Sequence, residues 1–186
     1  MAENRKLAPT TLLILLAVAS FTAAAVTLTN ITEWHVQSAG TPPIVKVVGN
    51  DAVYGNDLGN KLANVTIKTA TDGTNRTIIT IRGYTGDPTK YDEVIKICNK
   101  GSQAYNVKLV ANGVLNGNWN YVQYLKLWLN NQGPLTLQNG QTTGETSQVS
   151  VSAGECVPVS AEVLVKPGAP TGSDLVVVEV DVVSTG

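Results

Sequence analysis

Two neighbouring stretches decide the fold: Val157-Pro-Val-Ser-Ala-Glu-Val-Leu-Val165 and Leu175-Val-Val-Val-Glu-Val-Asp-Val-Val183. In the first, Val157, Val159, Ala161, Val163 and Val165 alternate with Pro158, Ser160, Glu162 and Leu164. In the second, Val176, Val178, Val180 and Val182 share one face, with Glu179 and Asp181 on the other. Successive strand side chains point to opposite faces, so each stretch presents one Val-rich face to a common core. Between them, Lys166 to Ser173 is a Pro/Gly turn.

Working outward, the same short alternating runs recur, with no sustained 3.6-residue apolar period after residue 25. Further strands are expected at Val26 to Val36, Ile44 to Val48, Ala63 to Thr69, Thr77 to Arg82, Glu93 to Cys98, Tyr105 to Val110, Tyr121 to Leu129 and Gln148 to Ser152. Asp72-Gly73, Asn112-Gly113, Asn116-Gly117 and Asn139-Gly140 are pairs that accept positive φ, and reversals are expected at each. Gly49 to Asn60 reads as a longer loop. The expectation is an all-β chain of two packed sheets, a sandwich or barrel.

Composition narrows the function. The 186 residues suit one domain. They are 43% hydrophobic but only 5% aromatic, so the core must be mostly aliphatic, with a few large residues such as Trp119, Trp128 and Tyr124. A net charge of −1 leaves no basic face for nucleic acid.

Residues 1–25 have the order of a secretory signal peptide: basic Arg5 and Lys6, apolar Leu7 to Ala19, then small Ala23, Ala24 and Ala25 at the cleavage region. The apolar part falls short of the ~20 residues a spanning helix needs, so no membrane span is expected after cleavage. The mature chain is expected outside the cell. The two cysteines, Cys98 and Cys156, are expected to form a disulfide, as an even pair in a secreted chain commonly does. Two buried thiols are the alternative.

No catalytic constellation is visible. One histidine, His35, cannot supply a zinc-hydrolase ligand set or serve as base for a nucleophile it is not placed beside. No enzyme activity and no cofactor or metal are expected. The Asp/Asn-rich loop from Gly49 to Asp57 lacks the alternation and terminal Glu of a calcium loop, and reads as turn residues. Three sequons place N-glycosylation candidates at Asn30, Asn64 and Asn75.

The first segment after the leader is the most informative. Val26, Leu28, Trp34 and Val36 fall on one face of an extended run, and Pro42-Pro43 holds the connection to the body extended. Such an arm can pair with another copy or fold onto its own sheet.

The leader running into this strand resembles the TasA/camelysin-like biofilm fibre proteins, and among them the archaeal bundling pilins. So do the junction Ile97-Cys98-Asn99-Lys100-Gly101-Ser102, with Tyr105-Asn106-Val107-Lys108-Leu109 after it, and the alternating C-terminal strands. The resemblance implies a jelly-roll-like β-sandwich at residues 44–186 and a donor strand with its linker at residues 26–43. It also implies head-to-tail homopolymerisation by donor-strand exchange, with neighbouring filaments as partners in bundles, serving adhesion and biofilm. The cysteine pair departs from the bacterial pattern, and no metalloprotease motif supports the peptidase label of camelysin. Two alternatives stand beside it. One is a type IV pilin-like subunit that keeps its apolar helix and is cut near Lys6 to Ala8. The other is a monomeric carbohydrate-binding module using Trp119, Tyr121 and Tyr124.

Overall fold

The computed structural model describes residues 42–54, 62–69 and 75–186, and everything below concerns these. They contain twelve strands and no helix. The strands are β1 (Ile44–Val48), β2 (Ala52–Tyr54), β3 (Ala63–Thr69), β4 (Asn75–Ile81), β5 (Thr89–Asn99), β6 (Tyr105–Gly117), β7 (Val122–Leu129), β8 (Gln132–Leu137), β9 (Thr143–Glu145), β10 (Val149–Val151), β11 (Cys156–Val165) and β12 (Val176–Thr185).

They form three sheets. One has five antiparallel strands in the order β1-β5-β11-β7-β8. The second runs β10-β6-β12, with β9 also paired to β6, and the third is β2-β3-β4. The first two share a core, in which Ile95, Ile97, Val157 and Val159 of the five-stranded sheet meet Val107, Leu109, Val149 and Val151 of the second. This arrangement is consistent with a β-sandwich. A second cluster, around Trp119, Val122, Leu137, Val163 and Val165, extends the core towards the far ends of β7 and β11.

The deciding stretches become β11 and β12. Val157, Val159, Ala161, Val163 and Val165 are all buried, as their alternation requires. In β12 the row Val176, Val178, Val180 and Val182 is only half-buried, because β12 is an edge strand.

The Asn-Gly pairs take different roles in the fold. Asn139-Gly140 does reverse the chain: Gln138 and Gln141 exchange both backbone hydrogen bonds, at 2.8 and 3.0 Å, and Gly140 has φ +82°. Asn112-Gly113 does not. There β6 continues with Gly113 at φ +126°, and its register against β12 shifts between Glu179 and Val180. Asn112 is the extra residue of a β-bulge, and a bulge demands the same glycine freedom as a turn. Asn116-Gly117 ends β6, but the chain passes to β7 in the other sheet instead of forming a tight hairpin. Asp72-Gly73 lies outside the described residues.

Three strands were not expected. β2 lies inside the supposed loop from Gly49 and pairs parallel with β3. β8 carries Pro134, which is tolerated because β8 is an edge. β9 spans only three residues.

Candidate assembly groove

The candidate site begins with two sheet edges. β12 pairs with β6 alone and β1 with β5 alone among the described strands. Both edges send side chains to the same core: Ile44 and Val48 from β1, and Val180 and Val182 from β12. The valine row of β12 therefore has a core behind it, half-exposed side chains, and a line of main-chain donors and acceptors without a described strand beside them.

Lys46 stands in the middle of β1. It lies opposite Ile97, and its neighbours on that face, Ile44 and Val48, lie opposite Asn99 and Ile95. Directly opposed residues of an antiparallel pair share a face, so Lys46 points to the core side between two apolar side chains. Burial holds its ammonium below the ordinary lysine value, and the nearby Asp181 carboxylate of β12 opposes that shift. Asp181 also accepts a 2.7 Å hydrogen bond from Asn112 Nδ2.

The chain enters the body beside the junction after β5. The Lys100 amide donates to the Pro43 carbonyl at 2.7 Å. Asn99, fully buried, organises this corner: its Nδ2 donates to the carbonyls of Gln103 (2.7 Å) and Val151 (2.9 Å), and its Oδ1 accepts from the Gly101 amide (2.8 Å). At Gly101 an added Cβ would be in tight contact, 3.0 Å from Pro43 and 3.2 Å from Tyr105. β12 ends at this same corner, with Thr185 opposite Asn106.

The cysteines are bonded, Cys98 to Cys156, with Cα atoms 4.0 Å apart on directly opposed positions of β5 and β11. They lie on the outer face of the five-stranded sheet, away from the groove. Farther along that face Glu162 accepts from Tyr124 Oη at 2.8 Å and from Lys126 Nζ at 3.3 Å. The Tyr124 hydrogen bond, helped by Lys126, holds the Glu162 carboxyl below its ordinary value. Partial burial, with the Glu162 bond, pushes the Tyr124 phenol up.

The other candidate residues divide. Ala23, Ala24, Ala25, Val26, Leu28, Asn30, Trp34, His35 and Val36 lie outside the described residues. Asn75 begins β4, paired with Thr69. Asn64 lies within β3, 7% exposed, with its Nδ2 covered. Trp119, Tyr121 and Tyr124 do not form one platform, because Trp119 is buried, Tyr121 is 41% exposed and Tyr124 is engaged with Glu162. Trp128 and Tyr124, expected in the core, lie on the outer face opposite Ser160 and Leu164. In the Asp/Asn-rich loop, Asp51 Oδ2 accepts from the amides of Asp92 (2.7 Å) and Glu93 (2.9 Å), which gives it a structural task. No group of three or more metal-ligating residues occurs among the described residues, and no helix among them is long and apolar enough to cross a membrane.

Sequence reasoning did not find Lys46. In Ile-Val-Lys-Val-Val either set of alternate residues can be the inner one, and only pairing with β5 shows which. Comparison with known proteins finds no matching family model and no matching curated relative.

Proposed function

We propose that this chain is the structural subunit of an extracellular filament: exported, trimmed of residues 1–25, folded as a jelly-roll-like sandwich, and polymerised head to tail by donor-strand exchange. Residues 26–36 of one copy add a strand to β12 of the next, and the filament serves adhesion and biofilm formation.

The observation that carries the reading is β12 itself. It is a ten-residue edge whose inward valines are half-buried and whose outer side pairs with no described strand. Long apolar edges of this kind are templates for strand addition unless something covers them. The sequence supplies a matching cover in Val26, Leu28, Trp34 and Val36, joined to the body through Pro42-Pro43. Strand addition takes affinity from main-chain hydrogen bonds and specificity from alternate side chains.

The polarity follows from the corner at Pro43. In a head-to-tail stack the arm leaves one body there and enters the next from the opposite end, where β12 begins at Val176. Val36 then lies near Val176 and Val26 near Thr185, so the arm runs antiparallel to β12. The test is deletion of residues 26–36 in the secreted protein, followed by electron microscopy. A folded product without fibres is expected; fibres of normal shape would overturn the proposal.

A further inference from the structure

The outer face of the five-stranded sheet is interrupted beside one cross-strand pair, Ser160 of β11 and Trp128 of β7, which are directly opposed. On its other side Ser160 has no partner in register, because β5 runs from Tyr91 to Ile95 while β11 runs only from Ala161 to Val159. Trp128 lacks one too, since β8 runs from Gln132 to Leu135 while β7 runs from Leu129 to Leu127. Two backbone irregularities thus flank a single pair. Strands of a regular sheet stand about 4.8 Å apart, so each side chain is shouldered by the next. A bulge on both sides opens that row and re-aims the side chains that line it.

The result is an open cleft of about 320 Å³ lined by Lys90, Trp128, Asn131, Ser160 and Glu162, a volume at the lower end of small-molecule sites. Ser160, buried, forms its floor, and its hydroxyl donates to the Asp92 carbonyl at 2.6 Å. Glu162 takes Tyr124 Oη and Lys126 Nζ on Oε1, and its Oε2 is left to accept from a ligand. Lys90 is paired with the Asp92 carboxylate at 3.0 Å. Asn131, exposed in the hairpin with φ +62°, stands at the rim. Lys90 and Lys126 balance Asp92 and Glu162, so the cleft carries polar groups without a net charge. We infer that it binds a neutral saccharide, with one sugar ring against Trp128 and its hydroxyls on Glu162, Ser160 and Asn131.

A sugar ring has the two kinds of surface that this cleft offers. Its C–H groups form an apolar, slightly positive face, which suits the negative face of an indole. Its hydroxyls both donate and accept, and a carboxylate, an ammonium, a hydroxyl and a carboxamide together answer both needs. An aromatic ring beside a few placed polar groups is the usual make-up of a small-molecule site. A purely apolar ligand would cover Glu162 and Ser160 without replacing their water, which is costly. An anionic sugar would meet the Glu162 carboxylate, while both lysines already face a carboxylate. Tyr124 and Lys126 hold Glu162 ionised as well as oriented. The cleft belongs to the folded body, and β12 lies in the other sheet, so binding neither needs nor blocks the arm. On the filament reading above, each subunit repeats the site, and many weak sites along one fibre give avidity to adhesion.

The test is isothermal titration calorimetry of the full secreted chain with cellohexaose, maltohexaose and mannohexaose, and with hexagalacturonate as the acidic comparison. Circular dichroism confirms the fold of each variant. At least one neutral hexaose is expected to bind with a millimolar or lower dissociation constant, and hexagalacturonate to bind more weakly. Trp128→Ala and Glu162→Gln are each expected to weaken that binding about tenfold or more, the scale of a lost ring contact or charged hydrogen bond. Asn131→Gly, which suits the left-handed backbone there and so keeps the hairpin, is expected to weaken binding by a smaller factor. Absence of binding by all three neutral hexaoses, affinity unchanged in the folded variants, or preference for hexagalacturonate overturns the inference and leaves the donor-strand reading intact. Fibres that survive deletion of residues 26–36 overturn that reading instead.

Discussion

Replacing both cysteines, Cys98→Ala with Cys156→Ala, measures what the cross-link contributes to the body. The bond closes a loop with a sequence separation of 58 residues. On the chain-entropy account a loop of that length limits the unfolded ensemble enough to stabilise the fold by about 4 kcal/mol. Cys98, only 3% exposed, also gives up a little packing when shortened. In a domain of this size each kcal/mol moves the melting temperature by roughly 2 to 4 °C, so a fall of roughly 8 to 16 °C is expected. Scanning calorimetry of the double variant, and of the parent with and without a phosphine reductant, reads it directly. Because Cys98 and Cys156 face away from β12, fibres of the variant should still form at temperatures where its body is folded. A fall below about 3 °C would refute the reasoning, since the ladder between β5 and β11 would then be holding the segment without help. Two alkylatable thiols in the native protein would refute the bond.

Asn99→Ala removes two donated hydrogen bonds and one accepted bond from a fully buried corner, and at about 1 kcal/mol each the loss in a urea titration should be about 3 kcal/mol. Glu162 has a depressed carboxyl pKa in the fold, so its contribution is complete above its ordinary value of 4.5 and is lost as pH falls through the folded value. Glu162→Gln should therefore flatten the acid side of a melting-temperature profile, and an unchanged slope would show that the Tyr124 bond carries no linkage. Trp34→Ala should weaken assembly by about 3 to 5 kcal/mol, the usual loss for a buried tryptophan, and give short, heat-labile fibres. Glu33→Ala, on the opposite face of the arm, should leave fibre melting unchanged.

Much of the fold was legible because its strands obey one rule. β11 could be read outright, since five small apolar residues at every second position have no other use. β1 and β3 were expected with the bounds they have, although the inner face of β1 was not decidable. Reading failed where short-range chemistry is ambiguous. A Gly with positive φ serves a bulge as well as a turn, and Asn112-Gly113 alone does not distinguish the two. Asn130-Asn131, with φ of +48° and +62°, makes the hairpin between β7 and β8 without any glycine, and no reversal was expected there. β2 and β9 are three residues each, too short for alternation to register. The candidate site was half legible: the valines of β12 stand in the sequence, but which strands become edges is a property of topology. Lys46 acquires its place only when β5 fixes the pairing.

A reconstruction of the fibre by electron cryomicroscopy tests the central claim most directly. The expected result is an extra strand from the neighbouring subunit, running antiparallel along β12, with Trp34 against the valine row. A filament core of bundled N-terminal helices, or an arm folded back on its own body, would contradict it.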